Sequence, residues 1–449
     1  MKIMDYFRGV PRFGQRKVLE TIEREWSKKK IFVIQAPVAT GKSRIAVAIA
    51  DWVAAQGRTS AILTPTNILA DQYAREFRDL QLLHKRSYYR NQLDWLDAVD
   101  TFESGNKCLG NYYIPLAHKI RKDVYIYDEA HNLAEQEGSI KLWRHLYEWP
   151  DGLKDEADFE AWILNTFTGI PSRDKRLAAC RDIVVTGRIN FAITTDWQEY
   201  RGHMREVLIV QPLNSEAAGK IFLPRYVKKI ILMSATFSQV DLESLGFDPT
   251  DAVWIPVDSE IPAGNRPVKP LNVAPITFDN DSWSIPRITG SIEALLDTNN
   301  TPGIIHCTYS LAEKLKTHLS KYKRIVWHDR GNRTAVYKKF VSGEYGTDAV
   351  LIACGMSEGI DLAYSLARWQ VICKVPYRSL ADFKSRESSK KNPELYAWWA
   401  VRTIMQATGR VCRNPDDYGI TYILDSNFNK LLKEWPHLWP DYYKHSIIT

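Results

Sequence analysis

An α/β fold built from two tandem parallel-sheet units is what this sequence predicts, on three observations. Short, near-continuous apolar runs recur along the chain. Each ends in a turn signal and leads into a stretch with helical patterning. Runs of this kind suit strands buried on both faces, as in a parallel sheet flanked by helices. The third observation is length: 449 residues are too many for one typical domain.

The first unit takes its strands from residues 31–34, 61–63, 124–127 and 230–233. The second takes them from 303–307, 324–327, 349–353, 371–375 and 420–424. The boundary is expected near 248–270, where Pro249, Pro256, Pro262, Pro267 and Pro270 interrupt regular structure. This gives units 1–248 and 249–449. Two stretches of the first unit fit the α/β rhythm poorly and read as insertions, at 75–122 and 134–225. The second of these carries a helical pattern over 158–167 and a hairpin of 189–195 with 206–211.

Hydrophobic content of 45% supports sizeable cores, and a net charge of +7 favours a polyanionic partner only where the charges cluster. The amino end lacks a signal-peptide core, and no run approaches the roughly 20 apolar residues that span a bilayer. A cytoplasmic setting, bacterial or in a viral host, is expected, with no membrane partner. The six cysteines include no Cys-x-x-Cys pair, so neither a zinc site nor a disulfide framework is indicated. Core packing is their expected role. Trp143, Trp149 and Trp162 and Trp197 read the same way, and the segment 435–440 reads as a packed-down lid.

The chemistry concentrates in three places. Residues 36–43, Ala-Pro-Val-Ala-Thr-Gly-Lys-Ser, follow a strand and precede a helix. They read as a phosphate-binding loop with Ala36 at its usual first glycine. Ala39, Thr40 and Gly41 would turn backbone N–H groups to the phosphates, Lys42 would supply a point charge, and Ser43 would ligate Mg²⁺. Asp128-Glu129-Ala130-His131 follows the strand at 124–127, at the end where α/β folds bind ligands. Asp128 would share the Mg²⁺ and Glu129 would orient and deprotonate the attacking water. Alone, an Asp-Glu pair at a strand end is usually a solvated turn; beside Lys42 it reads as catalytic. Residues 406–413, Gln-Ala-Thr-Gly-Arg-Val-Cys-Arg, place Arg410 and Arg413 three apart on one helix face, with Gln406 grouped beside them. They could neutralise charge on a γ-phosphate.

The ordered set resembles superfamily 2 helicases, in the XPD/DinG-like branch with a DEAH box. The segments carrying the resemblance are 12–15, 36–43, 64–66, 128–133, 234–236, 358–362 and 406–413. The resemblance implies two RecA-like P-loop NTPase domains with ATP and Mg²⁺ between Lys42, Asp128 and Glu129 on one side and Arg410 and Arg413 on the other. It also implies that Gln15 reads adenine, that Gly359 and Asp361 approach the ribose, and that His131 relays nucleotide state to Ser234 and Thr236. Thr64 and Thr66, with Tyr309 and Ser310 on the second unit, would touch a nucleic-acid backbone. Lys85, Arg86 and Arg90, in the basic-aromatic stretch 84–90, form a further candidate surface. Many members hold an iron–sulfur cluster between the loop and the acidic motif. Only Cys108 lies in that interval here, so no cluster is expected. The partners implied are single-stranded or branched DNA rather than RNA, with replication, recombination and repair proteins as further candidates. A translocase that remodels protein–DNA complexes or junctions without processive unwinding is the alternative function. A binding module without hydrolysis and a nuclease are weaker rivals.

Overall fold

The computed structural model describes residues 2–448 apart from 38, 136–137, 186–189, 278–279, 357–359 and 361. The chain forms two compact units. One comprises Met1–Gln35, Lys42–Pro256 and Ser379–Leu395; the other comprises Ala36–Gly41, Val257–Arg378 and Tyr396–Thr449.

The strands of the first unit, in chain order, are β1 (Ile31–Gln35), β2 (Ser60–Thr64), β3 (Gln81–Leu83), β4 (Lys107–Asn111), β5 (Val124–Asp128), β6 (Ile140–Trp143), β7 (Phe191–Tyr200), β8 (His203–Pro212), β9 (Lys229–Ser234) and β10 (Ala252–Pro256). Seven of them form a parallel sheet in the order β10-β1-β9-β5-β2-β4-β3. Every residue of β2 and β5 is buried, as two-faced burial requires. The helix Lys42–Ala55 is apolar around most of its circumference, with eight buried residues between Ile45 and Val53.

Two expectations are corrected here. The stretch 75–122 is not a separate insertion, because β3 and β4 extend the sheet at one edge. The sequence Lys107-Cys108-Leu109-Gly110-Asn111 is polar at both ends and carries a glycine, so it lacks a continuous apolar run. Gly110 fits closely there: a Cβ would sit 3.3 Å from the Ile114 side chain and the Leu83 carbonyl, tight enough to push its neighbours by a few tenths of an ångström. The unit boundary also moves. β10 lies beyond residue 248 yet pairs with β1. Its Pro256 is tolerated because β10 is an outermost strand, where a missing N–H breaks no ladder.

Residues 140–212 form a three-stranded antiparallel sheet, β6-β8-β7, with its own core around Leu142, Trp149, Phe159, Ile163, Leu177 and Leu208. The hairpin is longer than expected, and Ile189 lies outside the described residues. Its two-residue turn, Arg201 (φ 52°) and Gly202 (φ 80°), has positive φ at both positions, which matches the twist of the flanking strands. The expected helix is Glu156–Asn165, capped by the Asp155 side chain. Trp143 and Trp149 are core residues, whereas Trp197 is 63% exposed.

The second unit contains β11 (Val268–Ala274), β12 (Gly303–Cys307), β13 (Ile325–Val326), β14 (Val350–Cys354), β15 (Trp369–Ile372) and β16 (Ile420–Asp425). They form a parallel sheet in the order β11-β16-β15-β12-β14-β13. β11 is an outermost strand and carries Pro270; its register slips between Pro270 and Ala274, where Asn272 has φ 51°. In the segment 435–440, Trp439 is buried and stacks on Tyr443. All cysteines except the half-buried Cys307 are buried.

A polar chain crosses this apolar sheet. His306 on β12 and Gln370 on β15 are both buried, with His306 Nε2 3.1 Å from Gln370 Oε1. Burial pushes the His306 imidazole down from 6.5 to about 4. The folded state therefore resists a proton that the unfolded chain accepts. Stability from this group is complete above about pH 6.5 and is lost as pH falls towards 4, by up to about 3 kcal/mol. Urea unfolding at pH 7 and pH 4.5 should show a smaller acid-induced loss for His306→Gln than for the unaltered chain. Equal losses would contradict the assignment.

Candidate functional site

The turn from β1 into the helix Lys42–Ala55 adopts a left-handed conformation twice, at Ala39 (φ 70°) and Gly41 (φ 69°). Such turns direct successive backbone N–H groups to one side and make an anion-binding concavity. Glycine adopts this conformation freely; alanine at position 39 costs roughly 1–2 kcal/mol, held by its surroundings. Thr40 is buried and its hydroxyl donates to the Pro37 carbonyl at 2.8 Å, closing the loop on itself. Ala36 is completely buried, so a small side chain is what the position admits. Lys42 and Ser43, both half-buried, open the helix.

Asp128 ends β5 and is 5% exposed. The Tyr73 hydroxyl donates to its Oδ2 at 2.8 Å, and the Glu129 N–H donates to its Oδ1 at 3.0 Å. Burial, reinforced by the Glu129 charge, pushes the Asp128 carboxyl up to about 6; Lys42 and the Tyr73 hydroxyl oppose the shift. Glu129 itself has φ 50°. The Tyr112 hydroxyl bridges the carbonyls of Asp128 (2.5 Å) and Glu129 (2.9 Å), which fixes this strained turn. A carboxylate withdrawn from water beside a second carboxylate is a fitting ligand for a hard divalent cation. Asp128, together with Ser43 at the start of the helix Lys42–Ala55, would hold such a cation, which would supply charge neutralisation to a bound phosphate.

From this turn a relay leads to β9. The Asn132 amide donates to the Glu129 carbonyl at 3.0 Å and to His131 Nε2 at 3.1 Å. An amide nitrogen only donates, so Nε2 accepts and Nδ1 carries the hydrogen. His131 Nδ1 lies 2.9 Å from Ser234 Oγ and 3.5 Å from Glu129 Oε2. Ser234 Oγ in turn accepts from the Thr236 N–H at 3.0 Å. Glu129, His131, Ser234 and Thr236 thus form a continuous set of contacts, which includes the expected pairing of His131 with the Ser234 segment.

In the second unit, Arg410 and Arg413 do not lie on a helix face as expected. The helix Pro393–Thr408 ends two residues earlier. The Thr408 carbonyl accepts from the Gln370 side chain, and Gly409 follows with poor helix propensity. Arg410 Nη1 donates to the Ile360 carbonyl at 3.1 Å, and the Leu362 N–H donates to the Arg410 carbonyl at 3.1 Å. Arg413 Nη1 donates to the Gly409 carbonyl at 3.3 Å. Gln406 is half-buried within the helix. Gly359 and Asp361 lie outside the described residues.

Other expected contacts divide. Thr64 is buried and its hydroxyl donates to the Thr66 carbonyl at 2.9 Å, which shapes the turn. Thr66 is exposed and caps the helix Asn67–Glu76. Gln15 is 3% exposed, and its side-chain oxygen accepts from the Arg12 N–H at 2.9 Å, a helix-capping use that competes with reading a base. Lys85, Arg86 and Arg90 are exposed on and beside a single 3₁₀ turn, Arg86–Tyr88. Tyr88 stacks on His84 at 4.5 Å with Lys85 above its ring. Tyr309 opens the helix Tyr309–Leu319, with the Arg330 guanidinium 5.2 Å from its ring centre and His328 edge-on at 5.7 Å; Ser310 beside it is exposed. Sequence reasoning missed Tyr73, Tyr112, Gln370, His328 and Arg330. None lies in a motif, and each is brought in by the fold alone.

Two parallel-sheet units in tandem, the first with a left-handed loop after β1 and a buried acid ending β5, make the fold of the RecA-like class. Residues 305–443 match the family model for a helicase C-terminal domain, and residues 9–173 match that for the res subunit of type III restriction enzymes. The chain is 31% identical over 106 residues to the XPD helicase subunit of general transcription and DNA repair factor IIH from Dictyostelium discoideum. It is 26% identical over 151 residues to a regulator of telomere elongation helicase 1 homologue from Caenorhabditis elegans. These alignments cover 22% and 29% of this chain and only 14% and 15% of the relatives' own lengths. In fold it is similar to the solved structure of Xpd4 from S. tokodaii, with a TM-score of 0.61 at 15% identity, covering 97% of this chain and 100% of that one. A structure described as XPD helicase gives 0.61 at 14% identity, covering 95% and 98%. In its matched segments and in its fold the chain is thus similar to superfamily 2 helicases of the XPD/DinG-like branch.

Tyr73→Phe should leave Asp128 Oδ2 buried without its donor. A loss of about 1–3 kcal/mol in denaturant unfolding is expected. An unchanged midpoint would show that water or another donor replaces the hydroxyl.

Proposed function

We propose that this protein is a DNA-dependent ATPase that moves along single-stranded DNA and unwinds duplex or branched DNA. The observation carrying this reading is the junction of strained loop, buried acid and histidine relay on one sheet. Ala39 and Gly41 shape the loop for phosphate, and Asp128 and Glu129 stand at the end of β5, separated from β1 by β9 alone. Lys42 supplies positive charge to the β- and γ-phosphates. Glu129 is the base that takes a proton from the attacking water. Bound Mg²⁺, held by Ser43 and Asp128, would supply charge neutralisation on the phosphates. His131 reports the state of Glu129 to Ser234 across a 2.9 Å contact, which suits coupling of hydrolysis to strand grip. Arg410 and Arg413 are the groups proposed to neutralise charge on the transferred phosphate.

DNA is favoured over RNA because the matched relatives are named as DNA repair and telomere helicases. Tyr309 with Arg330, and Tyr88 with Lys85, pair an aromatic face with a cation, a combination suited to unpaired bases and their phosphates. A second reading, translocation that remodels protein–DNA complexes without processive unwinding, is supported by one feature. The region between loop and acid, where the resemblance implies a cluster of four thiolate ligands in many members of the branch, holds Cys108 alone and is built into the main sheet through β3 and β4. A fork-unwinding assay beside a protein-displacement assay separates the two readings.

Lys42→Ala should abolish DNA-stimulated ATP turnover, and Glu129→Gln should retain ATP but stall. Full hydrolysis by either variant removes the assignment. Arg410→Ala should slow hydrolysis by roughly 10³-fold. DNA affinity should fall steeply between about 50 and 200 mM salt, as counterion release demands. A flat salt profile would argue against a phosphate-tracking surface.

A further inference from the structure

We infer that Gln370, a residue of no sequence motif, is the positioning residue for Arg410. This rests on reading Arg410 as the group that neutralises charge on the transferred phosphate. Gln370 lies in β15, near the middle of the second sheet, and is completely buried. A strand covered on both faces ordinarily takes an apolar residue there, and a buried amide is costly unless every group is bonded. Gln370 meets that condition with three bonds. Its Nε2 donates to the Thr408 carbonyl at 3.1 Å and to the Thr421 hydroxyl at 2.8 Å, and its Oε1 lies 3.1 Å from His306 Nε2. The orientation of the amide follows, because a carbonyl only accepts. The nitrogen must face Thr408, the oxygen must face His306, and His306 must carry its hydrogen on Nε2. The depressed basicity of His306 keeps that neutral form in place.

The bond to Thr408 is what packing alone does not require. Thr408 is the last helical residue before the arginine segment. Its carbonyl is one of the last four of the helix, which no helical N–H reaches; only a helix running on to residue 412 would bring it a donor. Gln370 occupies it from the side. The chain then tightens: the Arg410 N–H bonds to the Ala407 carbonyl, three residues back, and Arg410 leaves the helical course. On its other flank Arg410 is joined to Ile360 and Leu362. The arginine segment is therefore fixed at two points, the helix end before it by a side chain of the sheet and Arg410 itself by the backbone of the preceding motif. An apolar residue at 370 would fill the same volume and leave the first of these unmade. The helix end could then advance, and with it the direction in which the guanidinium points.

The test is a double-mutant cycle on DNA-stimulated ATP hydrolysis with Gln370→Met, Arg410→Ala and the pair. Gln370→Met should lower kcat by about ten- to a hundredfold, the scale of a misplaced catalytic group, with KM for ATP unchanged. In the Arg410→Ala background it should cause no further loss, because its effect passes through the arginine. A wild-type kcat for Gln370→Met, or losses that multiply in the pair, would overturn the inference. Thr421→Val, which removes one acceptor of the Gln370 amide and keeps the shape of the side chain, should show a smaller kcat defect with the same non-additivity. It decides the question if Gln370→Met does not fold, and multiplying losses there overturn the inference equally. If Arg410→Ala alone retains full activity, the arginine reading itself fails. If it is slow and Gln370→Met is not, only the inference about Gln370 fails.

Discussion

Charge kept away from water is the condition on which the rest of the first unit depends. Asp128 sits at the end of a strand whose five residues are all buried, and among the described residues its carboxylate has a tyrosine hydroxyl and one backbone N–H to replace solvent. Water would stabilise it better than these do, so the site favours whatever brings positive charge. Lys42 already leans in that direction. The surrounding tyrosines follow from the same condition. Tyr73 serves the carboxylate, and Tyr112 serves the backbone that carries it. Both are large enough to exclude solvent while offering a hydroxyl where one is needed.

Backbone strain follows a similar economy of placement. Ala39 and Glu129 both hold the left-handed conformation that side chains resist, one in the phosphate loop and one beside the buried acid. Each is fixed by a neighbour: the loop by Thr40 closing on Pro37, the acid turn by Tyr112 bridging two carbonyls. Strain of this kind persists where surrounding contacts over-determine the chain. The acid turn then passes its geometry on through Asn132 and His131 to Ser234. A displacement of Glu129 by a ligand would be felt at β9 without any element having to unfold.

Much of this was legible in the sequence, for reasons that also explain what was not. Buried parallel strands declare themselves as apolar runs, so β1, β2, β5, β9, β12 and β16 could be placed to within a residue or two. The phosphate loop and the acidic strand end are continuous segments with chemistry in their spacing. β3 was hidden because it is a three-residue edge strand, and β4, next to it, because its ends are polar and it carries a glycine. β10 and β11 were hidden behind prolines that forbid a central strand but not a peripheral one. The helix before Arg410 seemed to continue because local spacing cannot show that a residue 38 positions earlier takes its last carbonyl. Tyr73, Tyr112 and Gln370 belong to this third kind. They are ordinary residues until folding brings them to a partner.

The peripheral strands carry one more consequence. Both parallel sheets finish on elements that are poor templates: three residues in β3, two in β13, a terminal proline in β10, and a proline followed by a kink in β11. A foreign chain seeking to zip onto either rim finds too few aligned donors and acceptors to hold on. Copies of this protein crowded together, or caught while still folding, are thereby steered away from fibrous stacking through their largest apolar layers.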